Sequence, residues 1–184
     1  MINIYQIVEK TKVLGKGERF AIWVQGCHRA CKGCIAKDSW DITKGEKWEI
    51  EKLATKINNT KNITGLTISG GEPFLWEKEL SRLLDLIKKE LDVIVYTGYK
   101  FEEIKNKKLI SKIDLLIDGE YIEEKNEEIP LIGSSNQKLY IFTTKGEELA
   151  KDLLQTPSRE VEFVVKNNSL FVVGIPPKNL KEKI

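Results

Sequence analysis

The sequence predicts an α/β fold in which parallel strands are joined by crossover helices and the chain ends in a β-hairpin. Short runs rich in β-forming residues alternate with segments of helical period, the pattern of strand, crossover and strand. Every stretch that could carry chemistry falls just past the carboxyl end of an expected strand, where open α/β sheets and barrels place ligands. The 184 residues are enough for one domain with its own core, and no long linker divides them.

The elements follow in order. Residues 20–24 (FAIWV) read as a buried strand that runs into Gly26 and a group of cysteines. Ile50, Leu53, Ala54 and Ile57 recur at helical spacing. Residues 65–69 (GLTIS) form the next strand and end at Gly70-Gly71-Glu72-Pro73. Leu80, Leu83, Leu84, Ile87 and Leu91 line one face of a long helix whose other face is charged. Residues 93–96 and 115–117 are further strands, with a short helical pattern over 101–107 between them. A strand over 139–142 and a short helix over 147–154 come next. Two alternating runs, 161–165 and 170–173, then flank Lys166-Asn167-Asn168-Ser169; asparagines that tolerate positive φ between two β runs predict a hairpin.

Composition excludes several classes. The net charge is +2, and the lysine and glutamate runs at 105–108 and 123–128 are short and fall where loops are expected. They read as solvated surface, which argues against nucleic-acid and membrane partners. No segment has the length of a membrane span, and residues 1–5 lack the order of a signal peptide, so a cytoplasmic protein is expected. All three cysteines lie within eight residues, which is no secreted disulfide framework and points to metal or redox chemistry.

Cys27, Cys31 and Cys34 are spaced C-x3-C-x2-C on one loop. A 4Fe-4S cube normally takes four thiolates; three reach three corners and leave one iron open to an exogenous ligand, which makes the cluster a reaction site. Structural zinc is the rival, but it needs four ligands in a closed tetrahedron, and the one histidine, His28, is the immediate neighbour of Cys27. Gly70-Gly71-Glu72-Pro73, read alone, is a tight strand-to-helix turn with proline near the first helical position.

The C-x3-C-x2-C spacing directly after a strand, paired with Gly-Gly-Glu-Pro after the next, resembles the radical S-adenosylmethionine superfamily. Trp23-Val24-Gln25-Gly26-Cys27, Asp38-Ser39-Trp40, Tyr96-Thr97-Gly98-Tyr99-Lys100, Leu116-Ile117-Asp118-Gly119 and Gly133-Ser134-Ser135-Asn136-Gln137 narrow the resemblance. They are similar to the activating proteins of anaerobic glycyl radical enzymes, among them the activators of anaerobic ribonucleotide reductase. The sequence departs from that pattern at residues 14–17, at Ile35-Ala36 and at Ile132, and residues 145–184 lie outside the usual activator.

The resemblance implies an incomplete parallel (β/α) barrel over residues 1–144, with residues 145–184 as a helix and hairpin extension packed on the same domain. It implies a 4Fe-4S cluster on Cys27, Cys31 and Cys34 whose open iron takes S-adenosyl-L-methionine, and reductive cleavage of that cofactor to a 5′-deoxyadenosyl radical. Gly70, Gly71, Glu72 and Pro73 are expected at the methionine end of the cofactor. Gly33, Ser69, Thr97 and Asp118 flank the cluster or end strands facing the same mouth. Trp23, Trp40 and Tyr99 are candidates for keeping a radical dry. The implied partners are a glycyl radical protein and a reduced flavodoxin or ferredoxin as electron donor. Two other functions stay open at this stage: a radical enzyme acting on another peptide or a small molecule, and a non-enzymatic iron-sulfur or zinc module, which would leave the Gly-Gly-Glu-Pro turn unexplained.

Overall fold

The computed structural model describes residues 1–166 and 169–181. Among these residues nine strands and five α-helices occur in the order β1 (Ile2–Thr11), β2 (Arg19–Val24), β3 (Glu46–Trp48), α1 (Ile50–Asn59), β4 (Gly65–Gly70), α2 (Glu77–Leu86), β5 (Asp92–Tyr96), α3 (Phe101–Ile104), β6 (Leu115–Asp118), β7 (Lys138–Ile141), α4 (Thr144–Gln155), β8 (Glu162–Lys166), β9 (Ser169–Val173) and α5 (Lys178–Lys181). Among the described residues no helix is long and apolar enough to cross a membrane.

Seven strands form one mixed sheet in the order β3-β1-β2-β4-β5-β6-β7. The inner four, β2, β4, β5 and β6, are parallel, while β1 pairs antiparallel with β2, β3 antiparallel with β1, and β7 antiparallel with β6. The sheet is therefore not parallel throughout, as the alternating pattern had suggested. Its registers bring the expected motifs level: Val24 lies beside Gly70 and Tyr96 beside Ile117. The turns that follow these strands accordingly open on one end of the sheet.

Strand alternation assigns two faces. Phe20, Ile22, Val24, Leu66, Ile68, Val93, Val95 and Leu116 point to α1 and α2, whose Leu53, Ile57, Leu80, Leu83 and Leu84 complete the main core. The residues between them point the other way. Ala21 and Trp23 meet Val164, Phe171 and Val173 of the hairpin, and Ile94, Tyr96, Leu115 and Ile117 meet Leu149 and Ala150 of α4. The hairpin is a separate two-stranded sheet laid on this second face, so it neither extends nor closes the edge of the main sheet. The expected Asn167-Asn168 turn lies outside the described residues.

At the amino ends of the parallel strands, fully buried Arg19 pairs with Asp92 at 2.6 Å and donates to the Thr67 hydroxyl and the Leu66 carbonyl. That charge braces β2, β4 and β5 far from the cysteine end. Two elements differ from the expected ones. β1 precedes the strand expected first, with Ile2 and Ile4 buried beneath it. α2 stops at Leu86, where Ile87 turns extended and Asn58 pins the exit by donating to the Leu86 carbonyl and accepting from the Lys88 amide. Ile87 and Leu91 nevertheless stay in the core.

Candidate functional site

The cysteine loop leaves β2 and returns to its own start. Gly26, at φ +105°, donates to the Ser39 carbonyl at 2.7 Å, and the Cys27 amide donates to that of Trp40 at 2.9 Å. Buried Gln25 closes the loop by donating to the Asp38 and Asp41 carbonyls. The 23–27 and 38–40 stretches are thus two sides of one clasp. Between them Ala30 and Gly33 take positive φ, which folds the loop back and brings Cys34 to Cys31 through an amide-to-carbonyl bond of 3.1 Å.

Cys27, Cys31 and Cys34 are free and half-buried, and all three line one cavity with Ser69, Gly70, Gly71, Glu72 and Thr97. Burial pushes the Cys27 and Cys31 thiols up, against backbone hydrogen bonds from Arg29 and Ala30 to the first and from Tyr121 to the second. Hydrogen bonds of that kind favour thiolate and tune a bound cluster. Among the described residues no three His, Cys, Asp or Glu side chains converge as a site for a single metal ion. His28 is turned to Tyr99, its Nε2 3.0 Å from the phenol oxygen. The donor set of three soft thiols around an open cavity suits an iron-sulfur cube with one free corner.

The Gly-Gly-Glu-Pro turn is stitched to this loop. The Gly71 amide donates to the Val24 carbonyl and the Glu72 amide to that of Gly26, both at 2.8 Å. A Cβ on Gly71 would overlap the Gly26 carbonyl, and one on Gly70 would overlap the backbone of Val24. The pair is therefore demanded first by the protein's own backbone. The Glu72 carboxylate is buried and accepts from the Phe74 amide at 3.0 Å, the Thr97 hydroxyl at 2.8 Å and the Gly98 amide at 2.8 Å. Burial still holds its carboxyl above the ordinary range. Glu72 and Thr97 together latch the end of β4 to the end of β5.

Three expected residues stand behind the cavity wall. Gly33 faces the Glu123 carboxylate, and Pro73 is buried at the start of the turn over Pro73–Trp76. Asp118 spends its carboxylate on the Phe101 and Lys138 amides at 2.6 and 3.1 Å. Its neighbour Gly119 lines the cavity and is bound through its carbonyl to Gln137, whose Oε1 accepts from the Gly133 and Ser134 amides. The 116–119 and 133–137 stretches thus lock together. Trp23 and Trp40 reach the cavity.

Sequence reasoning missed other members of the site. Arg29 lies 5.0 Å over the Tyr99 ring and 3.9 Å from Glu120, with its Nε buried and unpartnered among the described residues. Tyr96 lines the cavity, and its buried hydroxyl has no partner among the described residues. Ile175 and Pro176 arrive from the chain's last segment, a contribution that no local pattern signals.

A family described as a 4Fe-4S single cluster domain matches residues 13–140. Over 141 residues the chain is 35% identical to the anaerobic ribonucleoside-triphosphate reductase-activating protein of Enterobacteria phage T4, with 71% of this chain and 88% of that protein covered. The chain belongs to that family. The activating proteins of Pasteurella multocida and Haemophilus influenzae are 34% and 33% identical, and each match covers 77% of this chain and 99% of the relative. About a quarter of this chain therefore has no counterpart in those two activating proteins.

Proposed function

We propose that the chain carries a 4Fe-4S cluster on Cys27, Cys31 and Cys34 and uses it with S-adenosylmethionine to generate a glycyl radical on an anaerobic ribonucleoside-triphosphate reductase. One observation carries the reading: the three thiols face the same cavity as the Gly70–Glu72 turn. The parallel strands β2, β4, β5 and β6 correspond on this reading to the incomplete barrel of a radical S-adenosylmethionine core over residues 1–144, with 145–184 as its extension.

When bound, the reduced cluster and S-adenosylmethionine supply reductive cleavage of the sulfonium and a 5′-deoxyadenosyl radical. The protein's own work is positional. Gln25 and the bonds of Gly26 and Cys27 fix the loop that presents the thiols. Glu72, Thr97 and Gly98 fix the turn that borders the methionine end, and Ser69 to Glu72 and Thr97 line the cavity there. Gly33, Pro73 and Asp118 act through the shape of those walls. Trp23 and Trp40 exclude water. The reductase that the relatives are named for activating is the partner, and a reduced flavodoxin or ferredoxin is the electron donor.

Anaerobic reconstitution followed by iron analysis, reduction with S-adenosylmethionine and detection of 5′-deoxyadenosine tests the chemistry. About four irons per chain are expected, with loss of the cluster in Cys27→Ala, Cys31→Ala or Cys34→Ala. Mixing with the reductase should give a glycyl radical signal in electron paramagnetic resonance. Zinc in place of iron, or a full cluster without 5′-deoxyadenosine, would refute the reading.

A further inference from the structure

We propose that the C-terminal extension builds a wall of the cofactor cavity, in which Ile175 and Pro176 pack against the nucleoside end of S-adenosylmethionine and Arg159 holds them in place. The inference rests on the functional reading above and concerns a part of the chain beyond the matched family, which ends at residue 140.

The extension is anchored on the sheet face that bears Trp23. Phe171 meets the Trp23 ring edge-on at 4.9 Å and the Tyr5 ring at 5.8 Å, and Val173 is fully buried. At Gly174, φ +99°, the chain leaves β9. A Cβ there would overlap the Glu160 carbonyl, so glycine makes the turn possible. Ile175 and Pro176 then enter the cavity lining.

Arg159 ties this segment across the site. Its guanidinium donates to the Ile129 carbonyl at 3.1 Å, to those of Ile132 and Gly133 at 2.6 and 3.3 Å, and to that of Pro176 at 3.4 Å. Gly133 and Pro176 both line the cavity. One planar cation with several fixed donors thus spans two walls, a task suited to arginine rather than lysine. The Lys178 amide adds a bond to the Glu128 carboxylate at 2.9 Å.

The polarity of the lining assigns the ligand's orientation. The cysteine loop brings thiols and the Arg29 cation, which suit a charged amino-acid end. Leu14, Trp23, Ile175 and Pro176 form an apolar surface. A flat heterocycle with polar edges fits such a surface.

The test uses cluster-loaded full-length protein and measures iron per chain and the dissociation constant for S-adenosylmethionine by anaerobic equilibrium dialysis. Ile175→Trp, which fills the cavity, is expected to weaken binding at least about tenfold with iron unchanged. Arg159→Ala should weaken it several-fold, and Arg159→Lys should recover only part of the loss. If Ile175→Trp does not fold, Ile175→Ala takes its place, with a several-fold loss expected. Folded, iron-loaded variants that bind like the wild type overturn the inference alone, as does normal binding coupled to failure on the reductase, which would mark a wall for the partner. A wild-type protein with its full iron that binds no S-adenosylmethionine overturns the functional reading and this inference together.

Discussion

A methyl group at Gly71 would overlap the Gly26 carbonyl, the residue next to Cys27, so the turn cannot change without moving the cysteine loop. Gly71→Ala is expected to lower iron uptake to less than about half of wild type as well as to weaken cofactor binding, since backbone offers no flexible side chain to give way. Full iron loading in that variant, measured colorimetrically after reconstitution, would refute this coupling. The Gly-Gly-Glu-Pro stretch was legible in the sequence as a motif, but its backbone role was not, because it depends on the approach of residues 45 positions apart. Tyr96 gives a second prediction. Its buried hydroxyl has no partner among the described residues, and burial pushes its pKa far above the ordinary tyrosine value of 10.0. The unfolded chain therefore loses this proton first as pH rises, and stability should fall from about pH 10 upward. Tyr96→Phe is expected to gain about 1 kcal/mol at neutral pH, where it removes an unsatisfied buried group, and to flatten the alkaline loss. Urea midpoints from pH 8 to 11 for both proteins check it; parallel curves would show that the hydroxyl ionises as readily in the folded protein as in the unfolded chain.

At the scale of elements, the hairpin was legible from its alternation, yet the side that faces inward was not. Both faces are apolar: Val164 and Phe171 pack on the sheet, whereas Phe163, Val165 and Leu170 are 51%, 74% and 59% exposed. Only the position of Trp23 and Tyr5 decides between them. Phe171→Ala is expected to cost about 2 kcal/mol, less than a fully buried Phe→Ala, while Phe163→Ala should change the urea midpoint little. Equal effects would mean that the hairpin docks otherwise. α4 began earlier than its apolar spacing suggested because Thr143 caps it, accepting from the Gly146 amide while its hydroxyl donates to the Asp114 carboxylate. Thr143→Ala should cost about 1 kcal/mol. β1 escaped sequence reading for a related reason: a register irregularity between Ile4 and Gln6 interrupts its alternation, and its burial comes from long-range pairing with β2 and β3.

For the whole molecule, alternation and motif order revealed the parallel centre of the sheet and the end at which the candidate motifs gather, since both follow from local period and strand direction. The antiparallel edges and the cover over the second face depend on which distant segments meet, and no local signal specifies that. The same architecture separates folding from metal binding. None of the three cysteines belongs to a core cluster, and the cysteine loop is closed by its own bonds to Ser39, Trp40 and Asp41. In small zinc domains, by contrast, the metal supplies the folding energy. Protein stripped of iron under anaerobic reducing conditions is therefore expected to keep the far-ultraviolet circular dichroism of the loaded form and to melt cooperatively at a lower temperature, as for any ligand that binds only the native state. Limited proteolysis should distinguish the forms locally, with cleavage of the stripped protein concentrated between residues 28 and 36 while the sheet resists. A stripped protein with the spectrum of an unfolded chain would show that the cluster, rather than the two-faced core, holds the fold together.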